Sequence, residues 1–272
     1  MEIKVLGPLD AQLAGSSIVP TAGKPRQILA LLALHRNRIM PVPTLMEEIW
    51  GTELPRSALT TLQTYILQLR RRIGAALGPD SPHTAKDILV TSHGGYLLRT
   101  PPDALDAHVY EQLVEQGRTA FDAGDNERAS CLLRQALEMW RGPALVDVRA
   151  GTILEVETVR LEESRLGTLE LRIHADLARG RHAALLTELT ALVARHPLHE
   201  GLHSQAMVAL YRCGRQAQAL DVYHALRGRL VEELGLEPST QLQRVHHAVL
   251  TADPALDVPG VRQAPAFQPF AA

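Results

Sequence analysis

His199, Glu200 and His203 stand together in the stretch HEGLH. On a helix the two imidazoles would lie one turn apart with a carboxylate beside them, which is how zinc proteases hold a metal and a general base. The surroundings argue against that chemistry. A three-histidine zincin continues with glycine and histidine at positions where this chain has Ala206 and Ala209. The other zincin class needs a carboxylate about twenty residues on, and only Asp221 is near. Gly201 weakens the helix that would keep the ligands in register. HEGLH therefore reads as a helix start carrying two incidental histidines. GKPRQ lacks both the upstream glycine and the hydroxyl residue of a phosphate-binding loop. Cys131 and Cys213 are far apart, without the CxxC spacing of a thiolate metal site. The expectation is a chain with no catalytic residues, no metal and no cofactor.

A second group of residues could do binding chemistry instead. In SALTTLQTYILQLRRRI, residues Leu59, Leu62, Ile66, Leu69 and Ile73 recur at three- and four-residue steps and form one apolar stripe. Projected on the same helix, Thr60, Thr61, Thr64, Gln68 and Arg71 fall on the opposite side, with Tyr65 and Arg72 flanking them. Hydroxyl, amide and guanidinium groups in this arrangement can hydrogen-bond base edges and phosphates in a major groove. A solvated helix face would look the same, so the neighbouring elements decide.

Those elements form a recognisable order. MEIKVLG and LDAQL alternate apolar and polar residues as half-buried strands do, and Ser17 to Val19 can supply a third strand. RQILALLALHRNRI is apolar nearly all round, as a buried helix is, and Arg26 at its head with Lys24 just before it are candidate contacts to a nucleic-acid backbone. TLMEEIWG comes next as a short helix, with Thr44 and Glu47 spaced as a capping box. After the polar-faced helix, ILVTSHGGYLLR reads as two strands about a Gly94-Gly95 turn, and Ser92, His93, Gly94 and Gly95 can approach a duplex closely. Three strands, three helices and a hairpin make a winged helix-turn-helix of the response-regulator effector type, whose third helix enters the major groove.

Beyond residue 102 strand signals give way to helical periodicity. Gly180 and Gly214 are 34 residues apart, and aligning on them matches Leu177 with Tyr211, Arg181 with Arg215, Ala183 with Ala217 and Leu186 with Leu220. This is the period of tetratricopeptide helix pairs, though Gly124 to Gly180 is 56, so the repeat is partly degenerate. The expected organisation is an α+β winged domain over 1–102, an all-α tetratricopeptide-like domain over 103–250, and a Pro-containing flexible tail over 251–272. Charge divides along the same line. Residues 1–102 hold 11 basic and 7 acidic side chains, whereas the remainder holds 17 and 23. The basic half would be drawn to a polyanion. No apolar run approaches the roughly 18 residues of a membrane span, and a cytoplasmic protein is expected.

TLQTYILQLRRRIG, VTSHGGYLL, HPLHEGL, ALYRCGRQAQALDVYHALRGRLVEELGLEP and LQRVHHAVL together resemble the streptomycete antibiotic regulatory protein family over residues 1 to about 250. In that family a winged helix is joined to a bacterial transcriptional activation domain. The opening MEIKVLGPLDAQL and the length are most similar to its activators of the daunorubicin type of anthracycline pathway. The resemblance implies an activator that binds direct repeats in double-stranded DNA near a biosynthetic promoter, as a homo-oligomer on DNA, and recruits RNA polymerase with its sigma factor. Because GKPRQ lacks a phosphate-binding loop, the ATPase module of larger family members is expected to be absent, and with the winged helix starting at residue 1 no receiver domain is expected. Two positions depart from the family: Leu67-Gln68 stands where members often carry a polar residue and arginine, and Leu97 where an arginine often follows the wing tyrosine. The alternative reading is an interaction adaptor whose winged domain binds protein or RNA.

Overall fold

The computed structural model describes residues 1–257. Its first strands are β1 (Glu2–Lys4), β2 (Asp10–Leu13) and β3 (Ser16–Ser17), an antiparallel sheet in that order with Ile3 opposite Ala11 and Gln12 opposite Ser17. The alternation sends Ile3, Ala11 and Leu13 inward, as the period of two requires. β3 lies slightly earlier than Ser17 to Val19, because Ile18 turns into the core and its amide bonds the Ala11 carbonyl at 2.9 Å.

Helix α1 (Gly23–Leu34) is buried from Gln27 to Ala33. A short strand β4 (Met40–Pro41) leads into α2 (Val42–Trp50), then α3 (Ala58–Leu77), the single-turn α4 (Ala85–Ile88), and the hairpin β5 (Leu89–Ser92) and β6 (Gly95–Leu98). The second sheet has the order β4-β6-β5, so β6 is central. α2 begins two residues before the expected capping box. Pro41 stands at its N-cap and Pro43 in its first turn, and no side chain caps it. Proline there tolerates the missing amide donor and presets φ, so it replaces the Thr44–Glu47 pair as the start signal.

Seven more α-helices follow among the described residues: α5 (Asp106–Asp122), α6 (Asn126–Glu138), α7 (Thr152–Ala178), α8 (His182–Arg195), α9 (Glu200–Arg212), α10 (Gln216–Arg229) and α11 (Thr240–Thr251), with a π turn at Leu230–Leu234. The winged and helical element sets are those expected. Packing groups them into two compact units: residues 1–116 with 134–168, and residues 117–133 with 169 onward.

In the first unit, one core joins the winged helix to the start of the helical region. Ile3, Leu31, Leu45, Leu62 and Ile66 share it with Tyr110, Trp140, Leu145, Leu154 and Leu161. Tyr110 meets Trp140 edge to face at 5.6 Å and bonds Thr168 through its hydroxyl at 2.7 Å. Asp106, at the head of α5, accepts from the amides of Val5 at 2.8 Å and Leu6 at 3.1 Å, which holds the N-terminal strand in place. Burial pushes its carboxyl above the usual range, against the pull of these hydrogen bonds.

The second unit is built from helix pairs. Gly124, Gly180 and Gly214 adopt φ of 78°, 75° and 73°, and each ends its helix in the same way. The residue after each glycine bonds back to a carbonyl of the last helical turn: Asp125 to Ala120 at 2.9 Å, Arg181 to Asp176 at 3.0 Å and Arg215 to Leu210 at 2.9 Å. This is the Schellman closure, for which glycine costs least. The degenerate 56-residue interval thus has the same turn as the regular one. Its extra length lies in the 139–151 connection and the long α7.

The first residues of the expected 251–272 tail are described. Pro254–Leu256 form a 3-10 turn, Leu256 is buried, and Arg212 donates to its carbonyl at 2.6 Å. The rest of the tail, 258–272, lies outside the described residues. Among the described residues no helix is long and apolar enough to cross a membrane.

Candidate nucleic-acid interface

Helix α3 buries Ala58, Leu62, Ile66, Leu69 and Ile73, and ends at Gly78 with φ of 74°. The stripe is as expected except at its start. Leu59 is half exposed, because the first turn of α3 comes after the open 51–57 loop and packs through Ala58 instead. Thr60, Thr64, Gln68 and Arg71 are exposed along the outer side. Thr61, Tyr65 and Arg72 flank them, partly covered. Gln63 and Leu67 share the outer row, although the sequence projection leaves them out. Their signal is present in the four-residue steps 59, 63, 67 and 71, but Leu67 is apolar and sits on a polar face. Thr64 returns its hydroxyl to the Thr60 carbonyl at 3.0 Å, which fixes its methyl and oxygen relative to the helix.

Tyr65 is held by aromatic packing. Its ring stacks on Trp50 at 6.4 Å, and the Lys24 ammonium lies 5.0 Å from the Trp50 ring centre. Lys24 remains exposed. Arg26, the other candidate for a backbone contact, has partners within the fold. Its guanidinium bonds the Pro20 carbonyl at 3.1 Å and the Asp147 carboxylate at 3.0 Å, so its charge is used within the fold. A shallow groove of about 370 Å³ runs between the start of α1 and α3, lined by Pro20, Thr21, Ala22, Gln68, Arg71 and Arg72. The two guanidiniums favour an anion there.

The wing is bound to this helix by a residue that sequence reasoning passes over. Arg70 donates to the Leu89 carbonyl at 2.7 Å and 3.0 Å and to the Thr91 hydroxyl at 2.7 Å. It sits beside the apolar stripe, four residues after Ile66, where an arginine has a neighbour to reach. The hairpin turn is His93-Gly94, closed by Ser92 pairing with Gly95, and Gly94 has φ of 75°. The Gly94 carbonyl accepts from Val42 at 2.9 Å, which ties the turn to the start of α2. His93 is exposed and Ser92 partly so. Gly95 is a correction to the expected turn pair. It is a buried strand residue opposite Pro41, and a side-chain carbon there would stand 2.2 Å from the Met40 carbonyl oxygen.

HEGLH lies elsewhere, at the head of α9. His199 is its N-cap, with Nδ1 accepting from the Leu202 amide at 3.4 Å. Glu200 accepts from the Ser239 amide at 2.9 Å and from its hydroxyl. His203 is buried, and its Nδ1 bonds the His199 carbonyl at 2.9 Å. Each ring thus has a structural partner. Among the described residues, no group of three His, Cys, Asp or Glu side chains is placed to hold a metal ion.

Comparison with known proteins places these features in a family. Residues 16–98 match the family described as transcriptional regulatory protein, C terminal, and residues 105–250 match bacterial transcriptional activator domain. Regulatory protein DnrI of Streptomyces peucetius is 55% identical over 94% of this chain and 94% of its own length. Transcriptional regulator RedD of Streptomyces coelicolor is 38% identical over 95% of this chain and 73% of its own. Regulatory protein AfsR of Streptomyces griseus is 39% identical, but the match spans 26% of that longer protein. The solved structure of Mycobacterium tuberculosis EmbR in complex with a low-affinity phosphopeptide superposes with a TM-score of 0.86 at 31% identity, over 93% of this chain and 65% of that one. With both domains matched in order and a relative of this identity along nearly its whole length, the protein belongs to the streptomycete antibiotic regulatory protein family of bacterial transcriptional regulators.

Proposed function

We propose that the chain is a sequence-specific DNA-binding activator of an antibiotic biosynthetic cluster. α3 enters the major groove, with Thr60, Thr61, Thr64, Gln68 and Arg71 toward base edges and Tyr65 and Arg72 toward the flanks. Ser92, His93 and Gly94 lie along the adjoining backbone, and Lys24 with the groove at the start of α1 takes a phosphate. The observation that carries this reading is the exposed hydrogen-bonding row of α3 beside a wing that Arg70 fixes to the same helix. Such pre-positioning of two contact elements lowers the ordering cost of binding.

The chain has no catalytic constellation in this reading. It activates by binding energy, holding RNA polymerase with its sigma factor at a promoter the enzyme would otherwise leave. Side-by-side protomers on direct repeats gain affinity through effective concentration. The similarity of nearly the whole chain to regulatory protein DnrI supports a regulatory role, and the family resemblance of the opening residues points it to a pathway of the daunorubicin type. The site of action is the cytoplasm, where the chromosome lies.

The test is a footprint with the full chain on promoters of its own gene neighbourhood. The expected result is paired protection with centres separated by whole helical turns of about 10–10.5 base pairs, lost cooperativity when half a turn is inserted, and added transcripts when polymerase is supplied. Arg71→Ala should weaken binding by about 1–3 kcal/mol. Absence of protection, or full binding by Arg71→Ala together with Gln68→Ala, would take α3 out of the groove.

A further inference from the structure

Leu67 is 48% exposed at the middle of the outer row of α3. Single exposed leucines are common on protein surfaces and usually mean nothing. The neighbourhood of this one is different. Its surface neighbours on the helix are Gln63 and Thr64 one turn before and Arg70 and Arg71 one turn after; Gln63, Thr64 and Arg71 are exposed hydrogen-bonding side chains, and Arg70 turns to the wing. An apolar group is thus set in the row that carries the donors and acceptors, where it can neither donate nor accept.

In the major groove of unmodified DNA, one base offers such a side chain a complementary surface. Thymine presents its 5-methyl group there, whereas guanine, cytosine and adenine present donors and acceptors that a leucine would leave unpaired. We propose that Leu67 is a specificity-determining residue that packs on the 5-methyl of one thymine in the bound site. The proposal rests on the DNA-binding reading of α3. The helical rise from Leu67 to Arg71 is about 6 Å, so this thymine lies within about two base-pair steps of the position that Arg71 contacts.

The experiment uses the full chain and duplexes enriched by it from a random-sequence pool. Each thymine of an enriched duplex is replaced in turn by deoxyuridine, which removes only the methyl, and affinity is read by fluorescence anisotropy. Burying one methyl group contributes about 0.8 kcal/mol, or about fourfold. The expected result is one thymine whose replacement costs the wild-type chain about fourfold, while L67A binds the thymine and uracil duplexes equally there and keeps any penalties elsewhere. L67Q should shift preference at the same position toward adenine, whose N6 and N7 suit an amide. The side chain is exposed, so both variants should retain the wild-type circular dichroism. Tight binding with no methyl-sensitive position, or an unchanged penalty in L67A, would overturn the proposal while leaving DNA binding standing. Failure to enrich any duplex would instead remove the DNA-binding reading, and this inference with it.

Discussion

Gly94 and Gly95 show how two identical neighbouring residues can have unlike roles. Gly94 has positive φ and open space around it, so an added methyl meets only backbone strain. Gly95 has an ordinary strand setting but lies against the Met40 carbonyl and the Ile39 side chain. Gly94→Ala should cost about 1–2 kcal/mol and Gly95→Ala more, about 3 kcal/mol as β4 is forced off β6. Urea unfolding of the two variants checks this, and equal losses would mean that β4 yields freely. The pair was legible as a hairpin turn because double glycine marks one. The second role was hidden, since β4 is only two residues long and carries no alternation to announce it. Leu62, Ile66, Leu69 and Ile73 were legible for the opposite reason: a stripe repeated over four turns reports its own face. The Arg26–Asp147 ion pair was not legible because its partners are 121 positions apart.

At the scale of elements, Glu48 of α2 is the least expected participant. Its buried carboxylate accepts from Gln27 Nε2 at 2.9 Å and from the amides of Gly151, Ile153 and Leu154 at 2.6, 2.9 and 3.2 Å. Those amides are orphans at the head of α7, and a carboxylate there both satisfies them and complements the helix dipole. A glutamate of the helix-turn-helix therefore caps a helix of the following domain from more than a hundred residues away. Glu48→Ala leaves several buried donors without an acceptor, at about 1–3 kcal/mol each before relaxation. We expect a loss of about 3 kcal/mol or more by urea unfolding. Glu48→Gln should recover only part, because its amide nitrogen cannot accept. A loss below about 1 kcal/mol would mean that water replaces the cap. In sequence, Glu48 is the second of two acids in MEEIW, and nothing local points to a partner a hundred residues on.

For the molecule as a whole, acid should act through the helical unit. Burial, as the largest cause, pushes the imidazoles of His174, His182, His203 and His246 below their ordinary value. The unfolded chain takes up these protons near pH 6.5, the folded chain only at lower pH. Their contribution to stability is fully present above about 6.5 and is lost as pH falls through the window below it. The thermal midpoint should drop between about pH 7 and pH 5, and His203→Gln should remove part of the drop. A midpoint independent of pH over this range, by circular dichroism, would contradict the assignment.

The two domain types were legible at this scale from element order alone. How they share a core was not, because that depends on contacts made across a hundred residues. A fragment of residues 1–102 lacks Tyr110, Trp140, Leu145, Leu154 and Leu161 from the core that holds Ile3 and Leu31. It should show no cooperative unfolding transition, whereas the full chain should. A sharp transition in the fragment would show that the winged half closes its own core.

That shared core bears on how such proteins can be recombined. The matched families meet between residues 98 and 105, a junction that looks like a seam where one reader of DNA could be exchanged for another. A cut there would part Ile3 from Leu105 and Asp106 from the amides it holds. The portable module is therefore the winged helix together with the helices that complete it. Grafts that keep the native sequence through Thr168 carry the whole first core with them. Hybrids joined at the nominal boundary must rebuild part of an interior from residues that never evolved against each other.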